Sequence, residues 1–263
     1  MKVRHLKSFP QHTNYEEYKE GGNINKPHVA YCIKENEVHY DPYIDPYNGH
    51  EYVDLGLPSG TMWSTKNVGA ETVTDKGLFF AWGETVGFKT TTERNNYTGL
   101  NNAYSWEDYQ LGANKVFTKY NNTDGLTRLE KEDDAVSVYM GGLWHSPTRE
   151  QFQELLDNCD LNWNYKFEGN NATYLCFTSR LNGNQILFNR TTGYIIDSFH
   201  YGSNNDLTIK TWSCDLATRD KPNTAYCLST GIGREVISIQ PSTTGSSYQG
   251  DRYCGFTMRG VVG

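Results

Sequence analysis

The sequence predicts an α+β fold in which one or two helices pack on irregular antiparallel strands. Three observations lead to this class. A capped amphipathic helix begins at Thr148, whereas most of the chain after Glu51 consists of short β-prone runs separated by Gly and Asn. Hydrophobic residues make up 37% of the 263 residues, below the roughly 45–50% of an average globular chain, but aromatic residues reach 14%. Because each aromatic side chain buries about 150–250 Å², we expect an aromatic-rich core.

The N-terminal part of the chain differs in composition from the rest. Within 1–50, two short β-prone runs at 29–33 and 37–40 flank a short turn and predict a hairpin. Two Asp-Pro steps follow and end any regular element. We therefore predict an N-terminal anchoring or oligomerisation segment with a linker at 1–50, and a ligand-binding domain at 51–263. A segment this small buries too little surface to stand alone, so we expect it to pair with a neighbour or with copies of itself.

The clearest helix signal follows Pro147. Thr148 is a favourable N-cap, and Gln151, three residues later, completes a capping box. The next apolar residues fall on one helical face at spacings of three and four: Phe152, Leu155, Leu156 and Cys159. A second, weaker helix is predicted over 130–142, where acidic residues suit the first turn and a Gly pair ends it. Strands are predicted at 173–178, 185–188, 193–196, 224–229 and 253–259.

Charge and motif content exclude several classes of function. The chain has 31 acidic and 24 basic residues, a net charge of −7, which argues against a nucleic-acid partner because such a partner needs a basic face. No apolar stretch is long enough for membrane insertion, and the N-terminal residues lack the apolar core of a secretory signal. Glycine-rich phosphate loops, the HExxH zinc motif and CxxC pairs are missing as well. We therefore expect no cofactor, no metal and no enzymatic activity.

The titratable residues have structural interpretations. Asp133 and Asp134 are neighbours, and neighbouring helical residues do not face one another, which favours helix-start acids over a catalytic carboxylate pair. Cys214 and Cys227 have no obvious basic neighbour to lower their pKa, which favours buried, reduced thiols over reactive ones. Five of the seven histidines lie within 1–50 at spacings that match no metal motif, and we expect surface or interface positions for them: His5, His12, His28, His39 and His50.

Three segments in the C-terminal third have the composition of recognition loops. The segments 199–207, 213–223 and 242–253 are rich in Tyr, Ser, Asn, Asp and Gly. Antibody paratopes favour the same residues, because Tyr offers contact area at low entropic cost and Ser and Asn offer adaptable hydrogen bonds. Ordinary surface loops have a similar composition, so both interpretations stay open at this point. A binding surface is favoured if the fold brings these segments together on one face.

Six segments, in this order along the chain, carry a family resemblance: 52–70, 78–85, 133–159, 177–188, 211–213 and 252–260. Together they resemble the Fibrobacter succinogenes major paralogous domain, a group abundant in gut Bacteroidetes that is similar to the formylglycine-generating-enzyme type of C-type lectin fold. Residues 1–45 resemble the leader module of structural proteins of Bacteroides phages and prophages. The resemblance implies a C-type-lectin-like domain with a small N-terminal β segment.

The resemblance also implies a function. The same fold serves as the variable protein of diversity-generating retroelements, and this implies a non-enzymatic receptor-binding protein, or adhesin, on a phage tail. Its ligand would be a bacterial surface protein or glycan, and residues 1–45 would attach a homotrimer to tail proteins. The virion would be assembled in the bacterial cytoplasm. The ligand-binding positions implied by the resemblance are Trp212, Ser213, Asp215, Ala217, Arg219, Asn223, Tyr226, Asp251 and Tyr253.

Two alternatives belong to the same resemblance. One is a binding domain of the cell envelope of gut Bacteroidetes, displayed on the bacterial surface. The other is an oxidase of the formylglycine-generating type, which binds copper through a close pair of cysteines. Cys214 and Cys227 do not form such a pair in the sequence. Calcium-dependent lectins use motifs whose acidic ligand is missing here, at 240–242 and at 212–214. Neither copper nor calcium is therefore expected.

Overall fold

The structure, a computed structural model, describes residues 29–34, 37–42, 45–112, 116–167, 173–201, 207–217, 222–231, 235–241 and 251–263. Strands β1 (Val29–Lys34) and β2 (Glu37–Pro42) precede the larger domain and pair antiparallel, with Tyr31 opposite Tyr40. The predicted N-terminal hairpin is therefore confirmed. The division of the chain at residue 50 stays a prediction.

The larger domain contains strands and helices in mixed order. They are β3 (Tyr52–Asp54), β4 (Met62–Asn67), α1 (Thr91–Thr98), a 3-10 turn (Lys131–Asp133), α2 (Ala135–Met140), α3 (Arg149–Asn158), β5 (Cys159–Tyr165), β6 (Tyr174–Ser179), β7 (Gln185–Asn189), β8 (Tyr194–Ile196), β9 (Phe199–Tyr201), β10 (Lys210–Leu216), β11 (Ala225–Thr230), β12 (Ile237–Pro241) and β13 (Arg259–Val262).

These strands form several small antiparallel sheets. Strand β4 lies between β3 and β13, β6 lies between β5 and β7, β11 lies between β10 and β12, and β8 pairs with β9. With the helices added, the described part of the chain is α+β with strands predominating, which agrees with the predicted class at this level. Within the same ranges, no helix has both the length and the apolar character needed to cross a bilayer.

The first and last strands of the larger domain meet in one sheet. Val53 on β3 and Val261 on β13 both pair with Trp63 on β4. The Trp63 side chain is fully buried, and its ring centre lies 5.6 Å from that of Phe152 on α3. This sheet therefore closes the domain and supplies the surface on which α3 packs.

Helix α3 forms where its local signals predict it. The Thr148 hydroxyl accepts a hydrogen bond from the Gln151 N–H at 3.1 Å, and the Gln151 side chain accepts one from the Thr148 N–H at 2.9 Å. This is the predicted capping box. Phe152 and Leu155 are buried on the predicted apolar face, and Leu156 is partly buried. Cys159, predicted on the same helical face, is buried but belongs to β5, because the helix ends at Asn158 and Cys159 has an extended backbone.

Asp134 begins helix α2. One carboxylate oxygen accepts from the Val136 N–H at 3.0 Å, and the other accepts from the Ser146 N–H at 2.7 Å. The Asp134 side chain is buried, and each of these bonds gives an acceptor to a backbone N–H that would otherwise have none. The interpretation of Asp134 as a helix-start acid is therefore confirmed. Asp133 ends the preceding 3-10 turn and accepts a hydrogen bond from the Tyr120 hydroxyl at 2.6 Å.

Helix α1 is held by buried ion pairs. Its one buried residue is Arg94, whose guanidinium donates to Glu84 at 2.7 Å and to Asp108 at 2.5 Å. The Arg94 guanidinium also lies 4.2 Å from the centre of the Tyr104 ring. All three charged side chains are buried, and the Arg94 guanidinium neutralises both carboxylates. The carboxylates also accept from backbone N–H groups, Asp108 from Tyr104 at 3.0 Å and Glu84 from Gln110 at 2.9 Å.

Four of the five predicted strands are confirmed, with small shifts at their ends, as β6, β7, β8 and β11. The fifth, predicted at 253–259, is wrong as a continuous strand. Its residues form isolated bridges to separate segments, Gly255 to Ile195, Phe256 to Phe80 and Thr257 to Thr211. Because the partners belong to three segments, no continuous ladder forms there, and the regular strand β13 begins only at Arg259.

Two clusters of buried side chains form the core. The larger contains Trp82, Trp144 and Trp212, and the other contains Trp63 and Phe152. These four tryptophans expose at most 1% of their surface. The expectation of an aromatic-rich core is therefore confirmed.

Candidate ligand-binding surface

Asp215, near the end of β10, ties three parts of the chain together. Its half-buried carboxylate accepts hydrogen bonds from Arg128 Nε at 2.8 Å and from the backbone N–H of Arg149 at 2.6 Å. Because Arg149 is the first residue of α3, this carboxylate also lies at the positive end of the helix dipole. The hydrogen bond to Asp215 raises the pKa of Arg128.

Arg149 connects this carboxylate to Tyr226 on β11. Its guanidinium carbon lies 4.8 Å from the centre of the Tyr226 ring, and Nη1 donates to the Tyr226 hydroxyl oxygen at 3.2 Å. Arg149 is exposed and Tyr226 is half-buried, so both side chains reach solvent. The pair presents a cation and an aromatic hydroxyl side by side, and Tyr and Arg are the residue types that dominate binding energy at protein surfaces.

Asn223 and Asp251 meet beside the same strand ends. The Asn223 side-chain amide donates to the Asp251 carboxylate at 3.0 Å, and Thr224 forms a β-bridge with Asp251. The Ala217 N–H donates to the Thr224 carbonyl at 3.0 Å, which places this pair next to the end of β10. Two of the three predicted recognition segments, 213–223 and 242–253, are therefore in contact. The third segment begins on β9, away from this contact.

We call this set the β10–β11 surface. It contains four of the predicted ligand-binding residues and two arginines that the sequence did not single out. Its members are Arg128, Arg149, Asp215, Asn223, Tyr226 and Asp251. Two carboxylates and two guanidinium groups lie among amide and phenol groups, so the surface offers both charges as well as neutral hydrogen-bonding groups.

Three predicted ligand-binding residues lie in the core instead. Trp212 is fully buried with its ring stacked on Phe256 at 4.1 Å. Ser213 is fully buried, and the Tyr253 ring is 1% exposed and lies 4.8 Å from the Trp106 ring. The side chains of Trp212, Ser213 and Tyr253 therefore support the strands and do not reach a ligand at the surface. Ala217 is nearly buried as well.

A buried arginine supports the β10–β11 surface from below. Arg252 is fully buried next to Asp251, and its guanidinium donates to backbone carbonyls of three residues: Tyr120 at 2.9 Å, Pro222 at 2.9 Å and Lys119 at 3.1 Å. Its own N–H donates to the Asn223 carbonyl at 2.9 Å. Because the planar guanidinium holds the Pro222 carbonyl and the backbone N–H of the same residue holds the Asn223 carbonyl, the segment that carries Asn223 is fixed relative to Asp251.

The two thiols singled out in the sequence are buried. Cys214 is 4% exposed and Cys227 is fully buried. Burial raises the pKa of both thiols above the usual value for cysteine. A thiol held neutral in this way is a poor nucleophile and a poor metal ligand. The expectation of buried, reduced thiols at these positions is therefore confirmed.

The candidate residues that the structure describes do not form a metal site. No group of three His, Cys, Asp or Glu side chains suited to a metal ion occurs among the residues that the structure describes. Arg219, His5, His12 and His28 lie outside the described residues. His50 is half-buried, and burial lowers its pKa. The described part of His39 is its backbone in β2.

Arg128 and Arg149 are the functional candidates that sequence reasoning missed. Arg149 belongs to the helix signal, so its sequence position indicates a helix and not a site. The two arginines contact Asp215 across 87 and 66 residues of chain. No local pattern predicts such a contact, because it depends on how β10 packs against α3.

Comparison of the chain with family models, with curated proteins and with solved structures finds no match. The geometry described above must therefore support any functional proposal by itself.

Proposed function

We propose that this chain is a non-enzymatic ligand-binding protein and that the β10–β11 surface contacts its ligand. The observation that carries this proposal is the contrast between the exposed side chains and the layer beneath them. The surface residues are polar or aromatic and reach solvent, whereas Trp212 on the same strand as Asp215, and Arg252 and Tyr253 next along the chain from Asp251, are buried. A rigid support lowers the entropic cost of binding, and it lets the surface residues change without loss of the fold.

The chemistry of the surface supports recognition over catalysis. The Asp215 carboxylate is engaged by Arg128 and by the start of α3, so it is not available as a general base. The nearest thiol in sequence, Cys214, is buried with a raised pKa. The groups that face solvent, above all the Arg149–Tyr226 pair, provide contact area and hydrogen bonds.

The fold and the biological setting are part of the same proposal. We propose a C-type-lectin-like domain of the formylglycine-generating type, carried on the tail of a Bacteroides phage or prophage and directed at a bacterial surface protein or glycan. Residues 1–45 would attach the chain to tail proteins as a homotrimer. Three sites on one particle bind with avidity, so a weak single site is enough for firm attachment. Display on the cell envelope of gut Bacteroidetes is the alternative setting for the same surface.

Binding of the labelled protein to a panel of gut Bacteroides strains, measured by flow cytometry, tests this proposal. We expect at least one strain to bind the wild-type chain and Tyr226→Ala to reduce binding by tenfold or more, since central Tyr side chains at interfaces contribute about 2 kcal/mol or more. Tyr97→Ala is the matched control, because Tyr97 is 60% exposed on α1, outside this surface. Both variants should melt within a few degrees of the wild type.

Three results would contradict the proposal. They are an absence of binding to every strain, unchanged binding by Tyr226→Ala, and equal losses for Tyr226→Ala and Tyr97→Ala. Copper-dependent oxygen consumption with a cysteine-containing peptide would point to the oxidase alternative in place of a binding protein.

A further inference from the structure

The β8–β9 hairpin presents two exposed aromatic rings. Phe199 is 66% exposed and Tyr201 is 44% exposed. In the hairpin register Tyr201 pairs with Tyr194 and Phe199 pairs with Ile196, so all four side chains share one face. The Tyr201 ring stacks on the buried Tyr194 ring, with centres 5.4 Å apart and planes 18° apart. We call Phe199 and Tyr201 the aromatic ledge.

The turn that carries the ledge is strained and firmly held. Asp197 and Ser198, the two residues between the strands, have φ angles of 47° and 66°. Both central residues of a type I′ turn need a positive φ, which Gly and Asn adopt more readily than Asp or Ser. The Ser198 N–H donates to the Ala103 carbonyl at 2.8 Å, and the Ala103 N–H donates to the Ser198 hydroxyl at 2.8 Å. The Asp197 N–H donates to the Tyr104 carbonyl at 3.0 Å.

The opposite face of the hairpin is fixed too. The His200 ring lies 5.0 Å from the buried Phe79 ring in an edge-on arrangement, and its Nε2 lies 2.8 Å from the Thr192 carbonyl oxygen. The aromatic ledge is therefore supported by the turn and by the contacts of His200 on the opposite face of the hairpin. The strands that carry its rings are in position before any ligand binds. Strained turns with exposed aromatic residues occur where binding requires a preorganised surface.

The exposed area indicates a small ligand. Aromatic side chains bury about 150–250 Å² each, so the exposed fractions of Phe199 and Tyr201 correspond to on the order of 200 Å². A protein partner needs about 800 Å² on each side of a stable interface. The ledge is too small for a protein interface on its own, but its size suits a ligand that covers one or two rings.

The polar groups around the ledge indicate a neutral ligand. Asn101 is exposed, and its carbonyl accepts a hydrogen bond from the Ser198 hydroxyl at 3.3 Å. Asn102 donates from its side chain to Asp197. A nucleic-acid strand requires Lys and Arg along its path, whereas this turn carries the Asp197 carboxylate beside amides and a hydroxyl, and a carboxylate also repels an anionic ligand. A ring with an apolar C–H face and hydroxyl groups at its edge fits both the flat rings and the amides.

The geometry points to a carbohydrate site on the aromatic ledge, in which sugar rings of a neutral glycan stack on Phe199 and Tyr201, whose ring centres lie 6.3 Å apart with planes inclined by 48°. This site is separate from the β10–β11 surface. Gly193, just before β8, forms a bridge with Ile209, just before β10, and Asp215 lies six residues further along the chain than Ile209, a distance on the order of 20 Å at a rise of about 3.3 Å per residue. The inference therefore does not rest on the proposed function and can hold or fail independently of it.

Affinity electrophoresis through native gels tests this site, with laminarin, yeast mannan and soluble starch as neutral polysaccharides and dextran sulfate as an anionic one. We expect at least one neutral polysaccharide to retard the wild-type chain. Phe199→Leu, which keeps an apolar side chain but removes the ring, should weaken the apparent affinity about tenfold, as should Tyr201→Ala. Tyr201→Phe keeps the ring and should retain binding. Tyr97→Ala is the matched control for loss of an exposed ring elsewhere.

The outcomes separate this inference from the proposed function. Loss of retardation in Phe199→Leu and Tyr201→Ala, with Tyr226→Ala unaffected, supports a separate carbohydrate site. Lack of retardation by all three neutral polysaccharides would overturn it, as would retardation by dextran sulfate alone. Retardation of Phe199→Leu equal to that of the wild type would overturn it as well. Circular dichroism spectra check that each variant is folded. If Phe199→Leu does not fold, the retardation of Tyr201→Ala compared with that of Tyr201→Phe tests the site instead.

Discussion

Arg252 donates from Nε to the hydroxyl oxygen of Tyr109 at 2.8 Å, inside the core. The Tyr109 hydroxyl in turn donates to the Trp82 carbonyl at 2.7 Å. The Arg252 guanidinium also lies within 6 Å of four aromatic rings: Trp82, Tyr109, Phe117 and Tyr120. A cation at the centre of an aromatic core therefore links the strand ends that carry the candidate surface to the loop at 119–120.

Replacement of Arg252 by Met is the first prediction from this relationship. The buried Tyr120 carbonyl and the partly buried carbonyls of Pro222 and Lys119 would lose their donor, and each unsatisfied buried group costs about 1–3 kcal/mol. We expect Arg252→Met to lower the free energy of unfolding by at least about 3 kcal/mol in urea denaturation. Arg252→Lys keeps the charge but lacks the planar guanidinium, so its free energy of unfolding should lie between those of the wild type and Arg252→Met. A loss below about 1 kcal/mol for Arg252→Met would contradict the supporting role given to this residue.

Trp144 supplies a second test of the core. Its ring is 1% exposed, and its Nε1 donates to the Tyr47 carbonyl at 2.7 Å. Aromatic-to-alanine substitutions in a core cost about 3–5 kcal/mol, so we expect a loss of that size for Trp144→Ala in urea denaturation. Trp144→Phe keeps most of the packing and should lose less. A cost of under about 1 kcal/mol for Trp144→Ala would contradict the assignment of Trp144 to the core.

The thiols give a chemical test of the non-enzymatic proposal. The structure describes five cysteines, and all five are buried: Cys159, Cys176, Cys214, Cys227 and Cys254. Burial raises the pKa of Cys159 to about 11, and it raises the pKa of Cys214 and Cys227. In Cys32→Ser, which removes the sixth cysteine, we expect no reaction with Ellman's reagent at neutral pH in the native state. All five should react after denaturation. Rapid reaction of one or two native thiols would favour the oxidase alternative.

Helices α1 and α3 show how much of the fold could be predicted from sequence. Helix α3 has a capping box and an apolar face within a dozen residues, so its signal is local and the prediction is confirmed. Helix α1 has almost no apolar face, because its buried residue is Arg94 and the partners of Arg94 are carboxylates from other segments. One local signal was present, Thr90 followed three residues later by Glu93, and it does cap the helix. The ion pairs that stabilise α1 are tertiary, and periodicity cannot reveal them.

The candidate surface, too, could be predicted from the local sequence only in part, because the rest depends on tertiary contacts. Composition identified the segments that carry Asp215, Asn223 and Asp251, and the fold does bring them together. Composition could not separate Tyr226, which reaches solvent, from Tyr253, which is buried against Trp106. Tyr226 lies in the regular strand β11, whereas Tyr253 lies between residues that form isolated bridges, and such a segment has no regular alternation from which the buried face can be predicted.

The last prediction concerns the turn beneath the aromatic ledge, where Asp197 is partly buried. Burial raises the pKa of this carboxyl, and the nearby Asp108 raises it further, although a hydrogen bond from Asn102 acts in the opposite direction. A pKa raised in the folded state means that the ionised side chain destabilises the fold at neutral pH. This destabilisation disappears as the pH falls through the folded-state pKa and below the unfolded value of about 3.9. Asp197→Asn removes the charge, and Asn also suits the positive φ of the turn.

We therefore expect Asp197→Asn to be more stable than the wild type at pH 7. The difference should shrink as the pH approaches about 4, leaving the part that comes from the turn preference of Asn, which does not depend on pH. Thermal unfolding of both proteins across this pH range measures the difference in Tm. Glu107→Gln, at an exposed carboxylate in the loop that holds the turn, serves as the control and should show no such change. An Asp197→Asn difference that grows on acidification would show that the carboxylate is stabilised in the fold, because a group with a lowered pKa loses its contribution as the pH falls.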